Sequence, residues 1–363
     1  MNSIKAILFS LLLTAAYAPV AGAALTARHS HTSVLLPDGN YLVLGGDSAD
    51  GGAPMNAVEM YITSAAAFAH MPNMPYSASS MTATLMGDGR VLVAGGFSAG
   101  TPLRWAAVFN PLTRAWDSSS GGLGATALAS ARGGHTATLI NKGTNAGKVL
   151  VCGGQTGGMT SITNTCEIFS PALNTFSGAH AMNSSRTGHT ANSIAGGRVF
   201  VSGGLTWDAA KSVNTYLPTN EIYDPETNTW VTVENLNQGR SDHTAVVMNN
   251  GAIMIAGGRN SRNDLDAPEE LWYKPGFDGA GSNQDAGSHG LLSSAEMFDS
   301  NGGRVQISGS DYSVMPYRNS KQAAALLPDG TVHLYGGYGA IPPTFFTKNY
   351  KLKPGSLLKT MKI

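Results

Sequence analysis

The chain has 363 residues, 42% of them apolar and only 13% charged, with 45 glycines and a formal net charge of zero. A chain of this length can bury a large core, and low charge with many glycines suits turn-rich strands better than helices. The neutral balance argues against a nucleic-acid ligand, although Lys348, Lys351, Lys353, Lys359 and Lys362 crowd the last sixteen residues with no acid among them.

The first residues, MNSIKAILFSLLLTAAYAPVAGA, carry one early lysine, an apolar run from Ile7 to Ala16, and small residues ending Ala21-Gly22-Ala23. That is the layout of a secretory signal peptide cleaved after about Ala23. An uncleaved anchor is the alternative, but the run is short for a bilayer span, and no later stretch is long and apolar enough to cross. The mature chain is therefore expected to be exported, to the periplasm or beyond the cell surface.

Next along the chain come six Gly-Gly pairs, each ending a short apolar run: Gly45-Gly46, Gly95-Gly96, Gly153-Gly154, Gly203-Gly204, Gly257-Gly258 and Gly336-Gly337. The first five follow one another at 50 to 58 residues, and the last interval is 79. A period near 50 points to a repeat architecture. In each repeat a strand such as HTSVLLPDG leads through a tight turn to a second strand such as NYLVLGG. The turns Asp38-Gly39, Asp88-Gly89, Asn250-Gly251 and Asp329-Gly330 supply the positive φ that a short hairpin needs. After a polar loop of variable length comes a third strand (AVEMY, AAVFNP, TCEIFSP, TNEIYDP, SAEMFD) and then a fourth. Tyr223 and Trp230 flank the turn between them, with Phe68, Trp116 and Phe176 in the place of Trp230 elsewhere. Four antiparallel strands per unit, radially repeated, predict a propeller.

The combination of Arg-x-x-His-Thr, hairpin, Gly-Gly, Glu-x-Tyr-Asp-Pro and Trp resembles the kelch repeat over essentially the whole mature chain. The resemblance implies an all-β propeller with one repeat per blade, and six Gly-Gly pairs imply six blades. The expected organisation is a signal peptide at 1–23 and a six-bladed β-propeller at 24–363. Its blades fall at about 24–76, 77–130, 131–184, 185–238, 239–317 and 318–363. The fifth carries an insertion at 259–292, between its second and third strands. The sixth has to find its outer strands in the tail PTFFTKNYKLKPGSLLKTMKI.

The recurrent residues divide into scaffold and candidates. The glycine pairs mark places where backbone must approach backbone. The aromatics are expected to fill the layers between blades. Glu59, Glu167, Glu221 and Glu296 recur once per blade, as structural ties would, and need partners inside a sheet. His31, His135, His189 and His243 begin the channel-lining strand, but equivalent positions around an axis are too far apart to share one ion, so no metal site is expected. Blades two and six carry Met81 and Gln322 at that point.

Arg28, Arg132, Arg186 and Arg240 stand three residues before each of those histidines, and Arg318 lies near the corresponding point of blade six. Two readings are open. Converging guanidinium forks at a channel mouth would bind carboxylates or acidic peptides. Otherwise each arginine bonds carbonyls or a repeat glutamate. The insertion is a second candidate surface, because it mixes acids with Trp272, Tyr273 and Phe277 and long loops carry specificity; it has no standard calcium-loop spacing. Cys152 and Cys166 take places held by small pairs in other blades, Ala94 and Ala106 or Ser202 and Asn220. They are expected to form a disulfide, with two buried thiols as the alternative.

Apparent enzyme motifs are weak. GFSAG, Gly96 to Gly100, fits a nucleophile-elbow pattern, but no helix follows. The blade-six stretch resembles that of galactose-oxidase-type copper enzymes, yet Ser320 and Lys321 stand where a metal-binding pair would be. The sequence reads as an exported, non-catalytic binding module for an acidic peptide, protein or carbohydrate, with no cofactor and no nucleic-acid partner. A sugar-modifying kelch enzyme such as a sialic-acid mutarotase is the alternative, and a copper oxidase the second.

Overall fold

In each repeat one strand is apolar at nearly every position, and that strand organises the blade. In the computed structural model the second strands Val91–Ala94, Val149–Cys152, Val199–Ser202 and Ile253–Ala256 are buried along their whole length, and Tyr41–Leu44 from its second residue on. A strand covered on both faces reads as a continuous apolar run, which is why these segments do not alternate. The structure describes residues 26–48, 52–117, 127–158, 160–260, 292 and 294–305, together with the strands Tyr312–Val314, Asn319–Ser320, Ala323–Leu326, Val332–Tyr335, Tyr338–Gly339 and Tyr350–Leu352. The proposed signal peptide, Trp272, Tyr273, Arg318 and Lys321 lie outside these residues.

Blade one is an antiparallel meander of Thr32–Leu35, Tyr41–Leu44, Val58–Ile62 and Ala67–Met71. Blade two uses Thr82–Leu85, Val91–Ala94, Ala106–Asn110 and Ala115–Trp116; blade three uses Thr136–Leu139, Val149–Cys152, Cys166–Ser170 and Thr175–Ala179. Blade four is Thr190–Ser193, Val199–Ser202, Asn220–Asp224 and Thr229–Val233, and blade five is Thr244–Val247, Ile253–Ala256, Ser294–Phe298 and Tyr312–Val314. Among the described residues there is no α-helix, only the 3-10 turns Thr63–Ala65 and Ala195–Gly197. Successive first strands lie side by side around the axis. The protein is an all-β propeller.

The expected count of six four-stranded blades is corrected: the described residues form five. The sixth repeat gives a three-stranded sheet, Ala323–Leu326, Val332–Tyr335 and Tyr350–Leu352, beside the first strand of blade five. Among the described residues of the tail assigned to outer strands, Tyr350–Leu352 pairs in that sheet.

Adjacent blades pack face to face. Leu42 and Leu44 of blade one meet Val91 and Val93 of blade two, and Leu92 and Ala94 meet Val149 and Val151 of blade three. Leu150 and Cys152 meet Val199 and Val201, and Phe200 meets Ile253 and Ile255. Val332 and Leu334 of the three-stranded sheet join the blade-five cluster of Met254 and Met297. Each valine, leucine, isoleucine, phenylalanine or methionine so covered contributes about 1.5–3 kcal/mol. The aromatics flanking the outer turn pair across strands: Phe109 with Trp116, Phe169 with Phe176, and Tyr223 with Trp230, each with ring centroids 5.0 Å apart. The indoles also reach the blade before, Trp116 Nε1 donating to the Pro72 carbonyl (3.0 Å) and Trp230 Nε1 to the His180 carbonyl (2.8 Å).

The glycine pairs make the closest approach between blades. Gly203 and Gly204 have φ of +59° and +104°, and a Cβ on Gly203 would stand 2.5 Å from the Arg240 carbonyl oxygen of blade five. The Gly204 N–H donates to that same oxygen at 2.7 Å. Gly96 and Gly154 repeat the bond to Arg132 and Arg186 at 2.9 and 2.8 Å. Cys152 and Cys166 face each other across the second and third strands of blade three and are joined in a disulfide, closing a loop of sequence separation 14.

Candidate ligand-binding face

The repeated arginines end inside the blades. Arg132, Arg186 and Arg240 are 0% exposed. Arg132 Nη1 donates to the Gly153 and Thr165 carbonyls, both at 2.9 Å, and Nη2 to Thr165 Oγ1 (3.1 Å) and Glu167 Oε1 (2.9 Å). Arg240 binds Gly257, Ser294 and Glu296 in the same way, the ion pair at 2.7 Å, and Arg186 binds Gly203, Thr219 and Glu221. In blade one the Arg28 side chain is covered and its Nη2 donates to Glu59 at 2.5 Å. The free carboxylate positions are filled by the chain entering the blade: Ala129 and Ser130 N–H donate to Glu167, and Asn183 and Ser184 N–H to Glu221. Burial pulls the guanidinium pKa of Arg132, Arg186 and Arg240 below its ordinary value, and the facing glutamate opposes the shift. The arginine-lined anion mouth is therefore corrected: Arg28, Arg132, Arg186 and Arg240 are spent on tying the entry segment, the glycine pair and the third strand of one blade together.

The histidines link one blade to the next. His135 Nε2 lies 3.0 Å from Thr82 Oγ1, and His189 and His243 Nε2 lie 2.9 Å from Thr136 and Thr190 Oγ1 of the preceding blade. All three are buried. Burial, reinforced by the arginine three residues before, lowers the pKa of His135 and His243 to about 3 and that of His189 well below its ordinary value. They are neutral at any ordinary pH.

What remains open is the face where the chain enters each blade. There a backbone ring runs from blade to blade: Ser80 N–H to Ser30 carbonyl (2.8 Å), Gly134 to Ser80 (3.3 Å), Gly188 to Gly134 (3.2 Å), Asp242 to Gly188 (2.9 Å). Outside the ring, the residue after each glycine pair bridges back to the entry segment: Asp47 to His29, Phe97 to Ser79, Gln155 to Gly133, Leu205 to Thr187, and Arg259 to Ser241. These second-to-third-strand loops all rise on one face. Blade two adds the hairpin Phe97–Ser98 with Thr101–Pro102. Blade four adds a longer one, Leu205–Asp208 with Val213–Tyr216. The insertion of blade five leaves from the same place, Arg259 and Asn260, and returns at Leu292, whose N–H donates to the Gly258 carbonyl at 2.8 Å; its interior lies outside the described residues.

The blade-four hairpin is firmly based. Leu205 and Thr187 exchange backbone hydrogen bonds at 2.8 and 2.9 Å, and Leu217 N–H donates to the Gly204 carbonyl at 2.8 Å. Gly239 of the entry segment packs so closely that a Cβ there would lie 2.2 Å from the Tyr216 carbonyl oxygen. The tip is turned by Asp208, whose Oδ1 accepts from Ala210 and Lys211 N–H at 3.0 and 3.2 Å. Beside its base, Arg259 Nε pairs with Asp242 Oδ2 at 2.6 Å. The Tyr216 hydroxyl pKa is raised, chiefly by burial, with Asp242 adding and Arg259 subtracting. Tyr216, Asp242 and Arg259 thus form one group at the junction of blades four and five, with Trp207 one step farther out. Sequence reading did not single these four out. The available signal was TWDAAKSVNTY, aromatics at strand spacing around an Asx turn inside a loop that other blades keep short.

No curated protein matches the chain in sequence. Among solved structures, one titled Structure of YjhT matches with a TM-score of 0.52 at 16% identity, over 64% of this chain and 78% of that one. At that identity the likeness concerns the fold alone. A family model described as the Attractin/LZTR1 beta-propeller matches residues 14–267, which together with the kelch-type blades places this chain in that β-propeller family.

Proposed function

We propose that the protein is an exported binding module whose ligand face is the entry face of the propeller, centred on blades four and five. The observation that carries the reading is the division of labour among polar residues. Everything repeated from blade to blade is consumed by the scaffold. The polar and aromatic groups that do not repeat, Trp207, Tyr216, Asp242 and Arg259, gather on one face around the origin of the insertion. Rigid scaffolds that present variable loops on one side are a common basis for recognition.

On this reading the signal peptide at 1–23 directs export, and the Cys152–Cys166 disulfide suits an oxidising compartment. Trp272 and Tyr273 of the insertion are further candidates for ligand contact on this reading. The test is a screen of the purified protein on peptide and glycan arrays, run beside an assay for sugar turnover. Binding without turnover, weakened by changes at Trp207 or Arg259 and indifferent to the turns between third and fourth strands on the opposite face (Leu112, Leu173), is the expected result. Turnover of a sugar would favour the sugar-modifying alternative, which must then draw on groups other than the repeat Arg–Glu pairs.

A further inference from the structure

The binding reading leaves the ligand's chemistry open, and the blade-four hairpin narrows it. Strand pairing sets Trp207 opposite Asn214 and Leu205 opposite Tyr216, so by the alternation of a strand these four side chains share one face of the hairpin. At the base of the same face stands the Asp242–Arg259 pair, with Arg259 46% and Asp242 18% exposed. The pair carries no net charge, yet it offers carboxylate acceptors and guanidinium donors in planar arrays.

We propose that Trp207, Tyr216, Asp242 and Arg259 form a subsite for an uncharged sugar ring. A pyranose has an apolar C–H face and a rim of hydroxyls that both donate and accept. The indole and phenol rings take the C–H face, since aromatic rings present large rigid apolar area with a polar edge. The carboxylate and guanidinium bracket hydroxyls on the rim. Arg259 is already neutralised at 2.6 Å, so an acidic ligand gains little there, which separates this subsite from an acidic-peptide groove. Hairpin and base are held by backbone bonds, so little ordering is needed on binding.

The proposal rests on the binding-module reading, and the experiment separates the two. Saturation-transfer NMR of the full protein is run with methyl glycosides of glucose, galactose, mannose and N-acetylglucosamine, and with an oligoglutamate peptide as the acidic probe. Expected is transfer to at least one neutral glycoside, reduced at least tenfold in Trp207→Ala and in the near-isosteric Asp242→Asn, while thermal unfolding of both variants stays near wild type. Transfer that survives both substitutions overturns the subsite and leaves the module intact. Peptide binding with no glycoside signal does the same. No binding of any probe overturns both.

Discussion

Blade two and blade four solve the same packing problem with opposite chemistry. Blade four places Arg186, His189, Thr219 and Glu221 in its interior, whereas blade two has Ala78, Met81, Trp105 and Ala107 at the equivalent points. The backbone is indifferent to the exchange. Gly46 N–H donates to the Ala78 carbonyl at 2.9 Å, as Gly204 N–H does to Arg240. In blade two Tyr76 stands where blade four has Ser184; its ring lies 5.0 Å from Trp105, and its hydroxyl reaches the Val93 carbonyl on the rung where Glu221 would be. Met81 and Met74 pack on Gly45 as His135 packs on Gly95. The ion pair is therefore one of two complete sets, and a chain can hold either. What it cannot hold is half of one.

That comparison can be broken in order of effect, beginning with acid. His135, His189 and His243 accept protons near pH 6.5 when unfolded, but only far lower when folded, at about 3 for the outer two. Their stabilisation is fully present above pH 6.5 and is lost as pH falls from there toward 3. The slope is at most about 1.4 kcal/mol per pH unit for each histidine. Urea unfolding from pH 7 to 4 should show it, and substituting methionine, the blade-two residue, at all three positions should flatten the profile.

Next comes the half-tie. Arg186→Ala leaves Glu221 buried and uncompensated, and should cost about 3–5 kcal/mol by urea unfolding. Opening the disulfide by Cys152→Ala with Cys166→Ala, an alanine pair as in blade two, should cost about 2–4 kcal/mol, read as a lower thermal midpoint under oxidising conditions. The smallest effect is expected at Trp207→Ala, on a hairpin outside the blade cores, with a stability change of about 0.5 kcal/mol or less and a large change in ligand binding.

Much of the fold was legible because its signals are local. Asp-Gly turns, glycine pairs and Glu-x-aromatic strands each report their own geometry, and their period reports the ring. The last repeat was less legible, since a tail containing Pro342, Pro343 and Pro354 does not announce how many strands it forms. The site was legible only in part. An arginine before a channel strand reads the same whether its guanidinium faces water or a buried glutamate, and burial is a property of the assembled blade. One clue lay in the chain itself: Arg, His and Glu leave blade two together, at Ala78, Met81 and Ala107, as members of a packed unit would and as independent ligand contacts need not. Tyr216 and Arg259 are 43 residues apart in the chain, and only the closing of blade five over blade four brings them together.

The most direct test of the scaffold account is to transplant the apolar set. Blade four is given Ser184→Tyr, Arg186→Ala, His189→Met, Thr219→Trp and Glu221→Ala, and its unfolding free energy is compared with that of Arg186→Ala alone. If the polar residues form a structural unit, the fivefold variant regains most of the stability lost by the single change, and ligand binding at the blade-four hairpin persists. A fivefold variant no more stable than the single one, or a single change that leaves stability untouched while abolishing binding, would contradict it.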